Sequence, residues 1–145
     1  MVGTAGVRLR LGRCIPLELY VVTNSQVMHY LPAGHRAELW PSSGALAALA
    51  GATPNGEVVR QAPAIFVVVG VIDRTAQKYG RKASRYVALE AGHAAQNLCL
   101  QAVGVQLGAV TIGALDENVV ARALPLSPGE TPYYLIPVGF PAVGS

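Results

Sequence analysis

Between Ala62 and Ile72 the chain is apolar without a break, and from Ala64 onward (AIFVVVGVI) it is rich in β-branched residues. A strand with one wet face alternates polar and apolar side chains. This one does not, so it reads as a central strand covered on both faces. Asp73 and Arg74 close the run, well short of the roughly 18 apolar residues that a transmembrane helix needs.

A long helix is equally legible. From Ser84 to Leu107 the residues Tyr86, Leu89, His93, Asn97, Leu100 and Val103 recur at steps of three and four with no proline, and Gly108 ends the run. Upstream, Pro16 to Thr23 (PLELYVVT) and Gln26 to Leu31 read as two strands with Asn24-Ser25 as their hairpin turn. Pro32-Ala33-Gly34 punctuates. Gly44 to Gly51 (GALAALAG) reads as a helix capped by Ser42 or Ser43. A loop at Thr53 to Gly56 leads into a helical turn over Glu57 to Gln61. Downstream, Ala109 to Gly113 is a short strand, Asp116 N-caps a helix through Ala123, and Tyr133 to Val138 is the last strand. This order predicts one α+β domain, an antiparallel or mixed sheet packed on a dominant helix.

Hydrophobic residues make up 52% of the chain and charged residues 13%, which is apolar for a soluble monomer. No apolar signal-peptide core follows Arg8, Arg10 and Arg13 before charge returns at Glu18. The composition therefore predicts burial against a second copy, a homodimer with no membrane association. Five basic residues, Arg74, Lys78, Arg81, Lys82 and Arg85, fall in one short window beside Tyr79 and Tyr86. A nucleic-acid surface interleaves charge and aromatics over a broader patch, so the cluster fits one anionic or redox site better. Cys14 and Cys99 have neither metal-ligand spacing nor a CxxC pattern. They are expected to be free thiols in a cytoplasmic protein without a metal centre.

The segment Arg74-Thr75-Ala76-Gln77-Lys78-Tyr79-Gly80-Arg81, followed by Arg85-Tyr86 and then Glu90, Gly92-His93 and Gln96-Asn97-Leu98, resembles the signature R-t-x-x-K-Y-G-x-R-x-x-R-Y-x-x-x-E-x-G-H-x-x-Q-N-L. That signature belongs to the SagB-type azoline dehydrogenases, a branch of the FMN-dependent nitroreductase superfamily. About a dozen positions match in register, and the likeness extends over roughly residues 14 to 141. The resemblance implies a nitroreductase-like fold and a homodimer with FMN at the subunit interface. It implies oxidation of thiazoline and oxazoline rings of a ribosomal peptide, or of a related small substrate, and it assigns catalysis to Lys78 and Tyr79. The Thr111-Ile112-Gly113-Ala114 loop falls where the superfamily sets backbone amides against the flavin ring edge, so the resemblance makes these four the cofactor-binding residues.

The implied chemistry removes a proton from a ring carbon and passes a hydride to the flavin, which needs a base near that carbon. A lysine serves as a base only when neutral, and Arg74, Arg81 and Arg85, with burial, are expected to favour that form of Lys78. Tyr79 can relay the proton. Glu90, His93 and Asn97 share one face of the long helix and are expected to be buried polar groups satisfied by one another or by a partner subunit.

The ends differ from the family pattern. Domains of this branch begin with an arginine-bearing helix that grips the FMN phosphate and a Ser-Ala-Gly-Ala-Tyr-Pro loop. Here the loop position reads Leu11-Gly12-Arg13-Cys14-Ile15-Pro16, and the sequence closes on VGFPAVGS with no terminal Lys or Arg. The expected organisation is an atypical segment at 1–15, a nitroreductase-like domain truncated at its N-terminus over 16–141, and a tail at 142–145. Fewer charge-assisted donors then face the phosphate. Gly-Arg-Cys-Ile-Pro can be encoded so that the neighbouring frame reads Ala-Gly-Ala-Tyr, so one lost base near Pro16 would put residues 1 to 15 out of frame. The gene sequence upstream of Pro16 tests this. Three functions follow in order: the FMN-dependent azoline dehydrogenase, a non-catalytic scaffold of the same fold, and an FMN nitro- or quinone reductase.

Overall fold

A computed structural model describes residues 15–141. The expectations for Cys14, for the three N-terminal arginines and for the tail at 142–145 lie outside the described residues, as does almost all of the 1–15 segment.

Six strands form one sheet, in the order β3-β2-β1-β4-β6-β5, with every neighbouring pair antiparallel. They are β1 (Leu17–Val22), β2 (Gln26–Leu31), β3 (Arg36–Pro41), β4 (Ala64–Val71), β5 (Gly108–Ala109) and β6 (Glu130–Gly139). The helices are α1 (Ala45–Gly51), α2 (Gly56–Gln61), α3 (Ile72–Tyr79), α4 (Ala83–Gly104) and α5 (Glu117–Ala123). The α+β architecture is as the sequence predicts, and the sheet is antiparallel rather than mixed.

β4 lies between β1 and β6 and is covered on both faces, as its composition requires. Ile65, Val67 and Val69 point into a core shared with Leu49 of α1, Val59 of α2 and Val120 of α5. Phe66 and Val68 point the other way, into a second core with Ala91 and Ala95 of α4. The register of β4 with β6 slips between Val68 and Val69, which pair with Tyr134 and Pro132 and leave Tyr133 as an extra residue. This β-bulge lets the consecutive Tyr133 and Tyr134 pack against the same core, where regular alternation would send them to opposite faces.

α4 turns an unexpected face to the sheet. Its buried residues are Ala83, Val87, Ala91, Ala95 and Ala102, mostly small side chains that allow the helix to lie close. The periodic residues Leu89, Leu100 and Val103 face outward, with 50%, 61% and 70% of their surface exposed. The helix also stops at Gly104, before the expected Gly108. Gln106 takes a left-handed conformation (φ 61°) and the Leu107 amide donates back to the Ala102 carbonyl at 2.8 Å, a C-terminal closure more often built on glycine.

Two elements carry no sequence signal and were not expected. β3 is a mostly exposed edge strand with charged residues and a terminal proline, the composition that blunts an edge. α3 leaves β4 directly, with no capping side chain to mark its start. At α1 the N-cap is Gly44 (φ 84°) in place of a serine side chain. Asp116 caps α5 as predicted, its Oδ1 accepting from the Asn118 and Val119 amides at 2.9 and 3.1 Å.

Candidate functional site

Lys78 and Tyr79 stand in the last turn of α3, both exposed. At Gly80 the backbone adopts φ 54°, ψ −130°, open only to glycine at low cost, and a single 3₁₀ turn (Gly80–Lys82) reverses the chain into α4. The reversal sets Tyr79 edge-on to Tyr86 of α4, with ring centres 5.0 Å apart at 77°. The Lys78 Nζ lies 5.1 Å from the Tyr79 ring centre. Thr75, Tyr79, Tyr86, Leu89, Glu90 and His93 line a cavity of about 460 Å³ at this junction. Three signature positions of α4, Tyr86, Glu90 and His93, thus border the same space as Tyr79.

Glu90, His93 and Asn97 are exposed, and among the described residues their side chains form no hydrogen bonds. Within one chain they are thus neither buried nor satisfied by one another, which corrects that alternative; their face of α4 is the outward one, open to the partner subunit of the other alternative. Among the described residues no group of three or more His, Cys, Asp or Glu could hold a metal ion.

The 111–114 loop lies at the far edge of the sheet. Ile112 is pinned to Leu135 by two backbone hydrogen bonds of 2.8 and 3.0 Å. Its neighbours Thr111, Gly113 and Ala114 are exposed, and their amides have no partner among the described residues. With Asn55, Val58 and Val110 the loop lines a cavity of about 280 Å³. A run of free backbone donors beside a cavity suits the carbonyl- and nitrogen-bearing edge of a flavin ring, so these residues fit the group. Among the described residues the cavity beside this loop and the one beside Tyr79 share no lining residue. A larger cavity, about 700 Å³, is apolar, lies between the sheet and the second half of α4, and contains neither set.

Arg74 does not stand with Lys78 as the sequence reading expected. Its guanidinium reaches Glu18 of β1 at 2.5 Å and the Ile15 carbonyl at 3.2 Å. Glu18 in turn bonds His29 Nε2 at 2.8 Å, and the His29 ring stacks on Tyr20 at 4.4 Å. Tyr20 is buried and donates its hydroxyl to Glu130 at 2.9 Å. The sequence signal for this network was slight, since Glu18 and Tyr20 share one face of β1 only through the two-residue strand period.

Burial first, and then the Glu130 carboxylate, push the Tyr20 hydroxyl well above its ordinary pKa of 10.0. A raised folded-state pKa contributes stability that is full below the unfolded value and lost as pH rises above it. Stability is therefore expected to fall above about pH 10 by roughly 1.4 kcal/mol per pH unit from this group alone. Tyr20→Phe should flatten that slope in urea melts taken between neutral and strongly alkaline pH. Equal slopes in the two proteins would remove Tyr20 from the alkaline transition.

Comparison with known proteins agrees with the fold. The nitroreductase family model matches residues 13–140. A nitroreductase-like protein of Methanocaldococcus jannaschii is 32% identical over 134 residues, covering 88% of this chain and 67% of that protein. A solved nitroreductase-like structure from Desulfovibrio desulfuricans, in complex with FMN, is 26% identical with a TM-score of 0.61, over 88% of this chain and 62% of that one. The Escherichia coli microcin synthetase McbBCD complex, with truncated pro-MccB17 bound, contains the same fold at 19% identity and a TM-score of 0.73, over 86% and 51%. The chain thus spans about two thirds of its curated relative and less of these solved structures. With the family model covering nearly the whole of the described residues, this chain belongs to the nitroreductase family.

Proposed function

We propose that the chain is a subunit of an FMN-dependent oxidoreductase that dehydrogenates azoline rings of a peptide or a related small substrate. The observation that carries the reading is the junction of α3 and α4, where Tyr79 and the signature residues Tyr86, Glu90 and His93 border one cavity and the Lys78 amine lies 5.1 Å from the Tyr79 ring centre. The FMN complex of a 26% identical relative and the free amides of Thr111, Gly113 and Ala114 support flavin as the cofactor. The fold shared with a complex that holds a truncated pro-peptide supports a peptide substrate.

FMN, when bound, supplies a two-electron acceptor. The remaining work falls to this chain: Lys78 takes the ring-carbon proton, and the Tyr79 hydroxyl relays it toward solvent. Thr111, Gly113 and Ala114 would orient the cofactor through their free amides, while Ile112 holds the loop to β6. The exposed stripe of Leu89, Leu100 and Val103 on α4 is the apolar surface a second copy would cover. Light scattering at micromolar concentration should read the mass of a dimer; a monomer contradicts this part.

The test of the reaction is a thiazoline-bearing peptide incubated with FMN-loaded protein. The product should be lighter by two hydrogen atoms, and the flavin should bleach when air is excluded. Nicotinamide-dependent reduction of a nitroarene or quinone without any change in the peptide would favour a nitro- or quinone reductase, the reading that the Methanocaldococcus relative supports. Among the described residues no helix is long and apolar enough to cross a membrane.

A further inference from the structure

Three cations follow the Lys78–Tyr79 pair at the α3–α4 junction. Arg81 and Lys82 occupy the 3₁₀ turn, and Arg85 lies in the first turn of α4; all three are exposed. Among the described residues none of them forms an ion pair, whereas the nearby Arg74 is engaged with Glu18. Their charge equals the formal charge of +3 on the whole chain.

The arrangement is locally unfavourable. Arg81 and Arg85 are like charges four residues apart. Lys82 and Arg85 also sit at the start of a long helix with no acidic residue in its first turn, where the positive end of the helix dipole opposes them. Helical spacing puts Lys82 on the same side as Tyr86 and Arg85 on the same side as Leu89, and both of those residues line the cavity beside Tyr79. The positive charge therefore borders the rim of the candidate substrate cavity.

We propose that this rim binds carboxylates of an acidic peptide segment that flanks the reacting ring, so that the substrate is an acidic peptide and not a neutral one. The inference rests on the reading of the Lys78–Tyr79 cavity as the substrate site. Three cations spread over a turn and the start of the next helix exceed the reach of a single carboxylate, and an extended chain at roughly 3.3 Å per residue presents several. A nucleic acid fits less well. Nucleic-acid surfaces spread charge and stacking rings over a broader patch than this one junction.

The experiment compares two fluorescein-labelled peptides with one thiazoline ring each, one with glutamates flanking the ring and one with glutamines in their place. Fluorescence anisotropy with FMN-loaded protein at about 50 mM salt should show the acidic peptide bound about tenfold more tightly, with the difference shrinking as salt is raised. The triple variant Arg81→Gln/Lys82→Gln/Arg85→Gln should erase the preference and keep its affinity for both FMN and riboflavin. Lys82→Glu should weaken binding of the acidic peptide while raising the melting temperature, because it places an acid at the start of α4.

Equal affinity for the two peptides would overturn the proposal, as would a preference that survives the triple variant. Binding of a single-stranded oligonucleotide as tight as that of the acidic peptide would overturn it too. If the triple variant loses affinity for FMN but not for riboflavin, the patch holds the flavin phosphate and the proposal fails. Charge preference without turnover would leave this inference standing and sink the proposed reaction, and turnover without charge preference would do the reverse.

Discussion

Lys78→Ala in the FMN-loaded protein is expected to lower turnover of an azoline substrate by about 10²–10⁴-fold, the usual contribution of a positioned general base. Tyr79→Phe, which removes only the relaying hydroxyl, should cost less than Lys78→Ala while preserving the ring contact with Tyr86. Flavin affinity should hold in both variants, because in one chain neither residue borders the cavity beside the free amides of the 111–114 loop. Single-turnover flavin reduction and flavin titration separate the two quantities. Parallel loss of turnover and flavin would mean that the pair is structural.

The second large effect concerns the fold. Gly70 lies in β4 opposite α4, and a Cβ built on it would come within 2.5 Å of the Tyr133 ring and 2.6 Å of a Val87 methyl. Tyr133 is the bulged residue of β6, and Val87 is fully buried on α4. Val87 is enclosed on all sides and Tyr133 packs against the second core, so neither gives way freely. Gly70→Ala is expected to cost about 1–3 kcal/mol through overpacking, and Gly70→Val more. Thermal melts should show a drop of several degrees for alanine and little folded protein for valine. A Gly70→Ala protein as stable as the parent would mean that β6 shifts its register freely at the bulge.

What could be read from the sequence follows from how each feature is encoded. β4 announced itself because a strand covered on both faces has to be apolar at every position, and Asp116 because a side-chain cap has few substitutes. α3 left no mark, since it continues from β4 at Ile72 with no cap and no glycine or proline between them. The long helix was recognised, but the side facing the sheet was not. The sheet takes alanines at Ala83, Ala91, Ala95 and Ala102, and alanine gives a weak periodic signal beside Leu89, Leu100 and Val103 on the outside. Lys78 and Tyr79 were found through a motif, which records residue identity and spacing but not surroundings. The exposure of Lys78, the turn at Gly80 and the edge-on contact with Tyr86 required the chain to be folded. Arg74 shows the limit most clearly, because it shares a sequence window with Lys78 and yet pairs with a carboxylate on β1.

Titration of FMN into the purified protein, followed by flavin fluorescence and the visible absorption bands, tests the central claim most directly. The account predicts saturable quenching and shifted flavin bands, approaching one flavin per chain, as the ring edge meets the amides of Thr111, Gly113 and Ala114. Fluorescence and bands that stay those of free flavin at every concentration would contradict it and leave a nitroreductase fold without its cofactor.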